Sequence, residues 1–171
     1  MKWITHQTGA VAAGLALQMP LLAVGAAFAG AILPDVLDQS ISRMGRNKKQ
    51  RQKIFNRIHR GNSHWFGWWL GLFIVSAAAP LSPVCKALCA GLAMGATSHV
   101  LLDMLTTQGV PLLPFTRKNR VSLSLCSTGK MGEYVFLAAI VAVSAWFMGE
   151  DLAAAAMNIA SDLSRGPLLS N

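Results

Sequence analysis

The chain has 171 residues, of which 53% are hydrophobic and only 13% charged, and it carries a formal charge of +8. This length fits one domain and excludes a multidomain enzyme, and the apolar content excludes a disordered tail. Ordinary soluble domains are about 25% charged; half that value, with the apolar residues gathered into runs, points to a membrane.

Met1 to His6 carries a single Lys, and the apolar stretch behind it outruns an ordinary signal-peptide core, so the N-terminus is expected to stay in the mature protein. Thr8 to Leu33 is nearly all Ala, Gly, Leu and Val, interrupted by Gln18-Met19-Pro20 and closed by Pro34-Asp35. It reads as one kinked span or as a helical hairpin with arms too short to cross. The hairpin, turning at Pro20 and returning the chain to its starting side, is the favoured arrangement.

Ser40 to Arg60 holds Arg43, Arg46, Lys48, Lys49, Arg51, Lys53, Arg57 and Arg60 without one acid, the character of a solvent-facing or headgroup-facing segment. Trp65 to Ala79 is apolar and opens with Trp65, Trp68 and Trp69, aromatics that favour a membrane interface. After a turn at Pro80 to Pro83, Val84 to Leu105 forms a second apolar helix containing Lys86, Ser98, His99 and Asp103. Thr106 to Met131 is a loop with Arg117, Lys118, Arg120 and Lys130, and Glu133 to Met148 is the last span.

The expected fold is all-α: a small helical integral membrane protein with about four to five apolar helices and two basic cytoplasmic loops. Residues 1–150 form the membrane-embedded domain, and residues 151–171 form a tail without assigned function. A two-helix excursion separates the basic loops, which places them on one side of the membrane with 13 of the 15 Lys and Arg, counting Lys2 in a cytoplasmic N-terminus. That is the positive-inside pattern, so the charge needs no nucleic acid partner. Cys85, Cys89 and Cys126 lack a metal-binding arrangement with nearby His and read as small helix-packing residues.

The ionisable residues are few and badly placed for a lipid environment. The four histidines are His6, His59, His64 and His99, and before residue 149 the only acids are Asp35, Asp38, Asp103 and Glu133. All lie at or near the ends of apolar segments, and the topology gathers them at the cytoplasmic edge, His6 included if the first segment is a hairpin. His99 and Asp103 are four apart and share a helix face, a spacing suited to two ligands. Ionisable groups at membrane depth are paired, metal-bound or water-facing. Imidazole with carboxylate suits Zn²⁺, Mn²⁺ or Fe²⁺.

Each residue also has a structural reading. His6, Asp38 and His59 suit solvated positions, Asp35 after Pro34 suits a cap, and Glu133 suits a helix N-terminus. His99 with Asp103 suits a structural ion pair. Convergence of all of them on one edge favours a shared site.

LPDVLDQ (Leu33 to Gln39), HRGNSHW (His59 to Trp65) and SHVLLDMLTTQGVPLLPF (Ser98 to Phe115) follow one another in that order. Together they resemble the YdjM-like family of LexA-regulated, bacterial inner-membrane proteins inferred to be metal-dependent hydrolases. Its pattern is an early Gly/Thr-His, then LPD-x-D-H, HRG-x-TH-S and SH-x-x-x-D-x-x-T-x-x-G-V, and the resemblance covers roughly His6 to Glu133. It implies metal positions at His6, Asp35, His59, His64, His99, Asp103 and Glu133, with zinc as the first expectation and manganese or iron as others. Two departures stand out: Asp38 is displaced from the family's second Asp and Gln39 follows where a His belongs, and Trp65 replaces the usual Ser. The ligand order is also similar to that of the zinc-dependent phospholipase C and nuclease superfamily.

The resemblance implies metal-assisted hydrolysis of a phosphoester or a phospholipid-like, lipid-linked substrate at the cytoplasmic membrane face. Asp35 and His64 are the expected catalytic residues, Asp35 as base, and Arg60 is expected to hold an anionic leaving group. A non-catalytic adaptor with a structural metal, or a small ion transporter, is the alternative class. Transport calls for polar groups at several depths rather than at one edge.

Overall fold

The computed structural model describes residues 1–116 and 119–164, and the backbone alone for residues 151–156 and 158–164. Arg117, Lys118 and the end of the tail lie outside the described residues. The chain is 70% helical with almost no strand.

Helix α1 (Trp3–Ala16) ends where Gln18 takes a left-handed conformation at φ 52°. The N–H of Gln18 then bonds the carbonyl of Leu15 and that of Met19 the carbonyl of Gly14, closing the last turn. Pro20 prevents continuation and leads into α2 (Leu21–Gly30), which packs back along α1. The turn at Pro20 is where the favoured hairpin has it, but the second arm belongs to the segment Leu21–Ser42, which is long enough to cross, whereas both arms were expected to be too short. At 14 residues α1 rises only about 21 Å, short of the roughly 30 Å hydrocarbon core.

A turn at Ala31 and Ile32, followed by Pro34, separates α2 from α3 (Leu33–Ser42). Helix α4 (Lys48–Ile58) is capped by the Asn47 side chain, which accepts from the Gln50 N–H, and buries none of its residues. It gives the cation-rich segment a helical form the sequence reading did not assign. After a single 3₁₀ turn (Asn62–His64) come α5 (Phe66–Ala78) and α6 (Pro83–Met104), close to their expected bounds. The loop beyond α6 pairs two short antiparallel strands, β1 (Val110–Pro111) and β2 (Arg120–Val121). Helix α7 (Met131–Ser164) passes residue 150 without a break, so the expected tail begins inside a continuous helix.

Three segments are long and apolar enough to cross a membrane: Leu21–Ser42, Pro83–Met104 and Met131–Glu150. Helices α2 and α6 form the most intimate pair, because glycines let their backbones meet. A Cβ on Gly91 would strike the carbonyl of Ala23, one on Gly95 that of Ala27, and one on Gly30 that of Leu92. Small residues four apart are how helices approach in lipid, where burial of apolar surface supplies little drive. Helix α7 packs mainly on α1 and leaves Val135, Val141, Val143, Trp146 and Phe147 exposed, as a lipid-facing helix would.

The two basic loops, which the sequence reading expects on one side of the membrane, touch each other. Arg120 Nη2 donates to the carbonyl of Arg60 at 2.8 Å, and Trp65 Nε1 donates to that of Leu112 at 3.2 Å.

Candidate metal centre

Along α6, Gly91, Gly95, His99 and Asp103 recur every four residues and share one face. The first two bring α6 onto α2, and the next two then face the turn where α2 gives way to α3. His99 is wholly buried, and its Nδ1 donates to the Ala31 carbonyl at 2.6 Å. Since only an N–H can serve that carbonyl, Nε2 carries the lone pair.

His64, on the 3₁₀ turn, meets His99 with Nε2 to Nε2 at 3.2 Å. Its tautomer follows from its neighbours. Ser63 Oγ donates its one hydrogen to Asp38 Oδ1 at 2.6 Å, so its oxygen accepts from His64 Nδ1 at 3.0 Å. His64 Nε2 therefore also presents a lone pair. Two imidazole lone pairs facing each other away from water repel unless a cation lies between them.

Two carboxylates complete the group. Asp35 Oδ1 lies 3.4 Å from His64 Nε2 and 3.8 Å from His99 Nε2, and Asp103 Oδ2 lies 3.7 Å from each. Asp35, His64 and His99 thus form one convergent group of donors, with Asp103 Oδ2 standing beside both imidazole nitrogens, which are 3.2 Å apart. A tetrahedral zinc with bonds of 2.0–2.1 Å holds its ligand atoms about 3.3–3.4 Å apart. Asp35 Oδ2 accepts from Trp3 Nε1 at 2.8 Å, whereas Oδ1 is buried and accepts no hydrogen bond. An orphaned carboxylate oxygen costs about 1–3 kcal/mol, and a divalent cation would remove that cost, so the residues fit such an ion.

Flanking residues lie on either side. The His6 ring stacks on His99 at 3.7 Å between centroids, and its Nε2 is 3.4 Å from Asp103 Oδ1. That same oxygen accepts from Arg60 Nη2 at 2.8 Å and from the Met1 nitrogen at 3.1 Å. Arg60, expected to face a substrate, is buried instead, with Nη1 donating to Thr106 Oγ1 at 2.7 Å. Its cation serves the Asp103 carboxylate.

On the other side His59 Nδ1 lies 3.3 Å from Asp38 Oδ2 and 3.6 Å from Asp35 Oδ1, with its ring stacked on Phe55. Asp38, left out of the expected metal set because it is displaced from the family position, is buried among these groups. One turn of α3 separates it from Asp35, and that three-residue spacing was the signal in the sequence.

Glu133 is buried but engaged elsewhere. It accepts from the Lys2 N–H at 2.5 Å, Thr5 Oγ1 at 2.8 Å and the Gly129 N–H at 2.6 Å, tying the start of α1 to the start of α7. It belongs to none of the groups of convergent donors. Of the cysteines, Cys126 is buried beside Met1 and Leu102, a packing role as expected, while Cys85 is exposed. Burial and the Glu133 carboxylate push the Cys126 thiol up, so it stays protonated.

Beside Asp38 and Ser63 opens a groove of about 560 Å³, walled by Leu37, Ile41, Trp68 and Phe115. Phe115 is 81% exposed at its rim.

No solved structure matches this chain. It is similar to the uncharacterized protein YvsG of Bacillus subtilis (strain 168), 28% identical over 151 residues that cover 84% of this chain and 91% of that one. The model of the family described as YdjM inner membrane protein matches residues 1–163. Every residue of the cluster falls inside that match, and the chain belongs to the YdjM inner membrane protein family.

Proposed function

We propose that the protein is a membrane-embedded, metal-dependent hydrolase that acts on a phosphoester of an amphiphile at the cytoplasmic membrane face. The observation that carries this is the set of four donor atoms, His64 Nε2, His99 Nε2, Asp35 Oδ1 and Asp103 Oδ2, beside an apolar groove. Zinc is the ion of choice on the donor set and spacing; manganese and iron also take imidazole with carboxylate. A divalent ion so bound supplies Lewis acidity toward a phosphoryl oxygen and renders water nucleophilic near neutral pH.

The chain's own residues divide the remaining work. Ser63 and the Ala31 carbonyl hold the two imidazoles in the ligating tautomer. Asp35, expected both among the metal positions and as base, is placed as a ligand in this reading, with Oδ1 near both imidazoles. Leu37, Ile41, Trp68 and Phe115 accommodate an apolar chain, and the basic residues of α4 attract an anionic headgroup by about 1 kcal/mol each near the surface. The concentration of cations around the site supports the cytoplasmic side through the positive-inside tendency.

Elemental analysis of the detergent-purified protein beside His99→Ala/Asp103→Ala, followed by a screen of phospholipid hydrolysis, tests this. Bound metal in the wild type alone, with turnover of a lipid phosphoester, is the expected result. Absence of metal after reconstitution with excess ion would overturn it, and metal without turnover would leave a structural site in an adaptor.

A further inference from the structure

We propose a second, exchangeable divalent-cation site on the groove side of the first, formed by Asp38 and His59 with Asp35 shared between the two ions. It rests on the reading of the cluster as a metal centre and extends it to a residue outside the expected ligand set.

Three overlapping groups of donors run in a row: His6, His99 and Asp103; Asp35, His64 and His99; Asp38, His59 and His64. They cannot all be filled, because neighbouring groups share an imidazole and each imidazole has one lone pair to give. The hydrogen bonds from His99 Nδ1 to Ala31 and from His64 Nδ1 to Ser63 commit both lone pairs to the middle group. A second ion must therefore use what is left on one flank.

The inner flank opposes it. Asp103 Oδ1, the oxygen nearest His6, already holds the guanidinium of Arg60 at 2.8 Å, and a dication there would face that fixed positive charge. Among the described residues, no Lys or Arg side chain is paired with the carboxylates of the outer flank. Asp38 Oδ2 receives the Arg60 backbone N–H, at 3.3 Å, and Oδ1 the Ser63 hydroxyl. His59 Nδ1 stands 3.3 Å from Asp38 Oδ2 and 3.6 Å from Asp35 Oδ1, both of them separations between ligands of one ion.

Access differs as well. His64 and His99 are wholly buried, whereas the His59 side chain is 28% exposed and gives the outer flank its opening; Asp38, itself buried, borders the groove. The outer ion therefore meets water and substrate, and it exchanges while the inner ion stays. Carboxylate bridging through Asp35 would set the two ions at the short spacing at which a pair clamps one phosphoryl group.

Full-length protein in detergent, stripped by chelation, would be titrated with Mn²⁺ and followed by elemental analysis and by electron paramagnetic resonance. Wild type is expected to bind two equivalents, the second more weakly, with the isolated-ion spectrum of the first giving way to a coupled one. Asp38→Asn and His59→Gln, checked for helicity and a monodisperse elution, should each stop at one equivalent and keep the isolated-ion spectrum. One equivalent in wild type, or two in both variants, overturns the outer site and leaves the first ion standing. No binding in wild type overturns both the outer site and the hydrolase proposal.

Discussion

The imidazole of His99 donates to the carbonyl of Ala31 at 2.6 Å, at the end of the glycine-lined contact between α2 and α6. The turn at Ala31 and Ile32, just ahead of Pro34, thus supplies the acceptor that decides which nitrogen of His99 faces the cluster. A feature of the backbone sets the chemistry of a side chain 68 residues away.

Ser63→Ala removes the oxygen that holds His64 Nδ1 and leaves every donor atom of the four-atom set in place. Metal affinity is expected to fall about 10–100-fold, as for other partners that orient a ligand. Competition with a chelator of known affinity measures it, and an unchanged constant would mean that Ser63 has no hold on the tautomer.

Gly95→Ala sets a Cβ against the Ala27 carbonyl, and Gly71→Ala, where nothing lies within 4 Å, is the control. Overpacking of this kind costs about 1–3 kcal/mol. Thermal unfolding in detergent should show a lowered midpoint for the first and little change for the second. The Gly95 variant should also bind metal more weakly, since His99 rides on the same face.

Arg60→Met takes the guanidinium from the buried Asp103 carboxylate and leaves it the Met1 ammonium and His6. Removing one partner of a buried pair costs about 3–5 kcal/mol, so the metal-free protein should be destabilised before any substrate is added. Arg60→Lys should recover part of the loss. A variant of normal stability with weakened substrate binding would return Arg60 to the substrate-holding role.

Glu133→Gln loosens the junction between α1 and α7 and should lower stability by about 1–3 kcal/mol, the cost of buried donors left poorly satisfied. Metal stoichiometry should not change. Loss of one metal equivalent would place Glu133 among the ligands after all.

Chelation should lower the unfolding midpoint of the wild type, and restored ion should raise it in a concentration-dependent way, because an ion bound only to the native state stabilises it by mass action. At one hundred times the dissociation constant the gain is about 2.7 kcal/mol. His99→Ala should show no such response to added ion.

The membrane helices, the turn at Pro20 and the shared helix face of His99 and Asp103 were legible in the sequence. Each follows from composition or from a spacing of a few residues, and helix geometry converts such spacings directly into positions. Which polar groups converge was another matter. The tertiary structure drew Asp38 inward, sent Glu133 to the start of α1 and turned Arg60 from the surface onto Asp103. Those outcomes depend on how closely α2 and α6 approach and on how the segment from His59 to His64 lies across them. They are long-range packing relations that no local periodicity encodes, although Gly91 and Gly95, on the same face as His99 and Asp103, were the visible trace of the contact that made them.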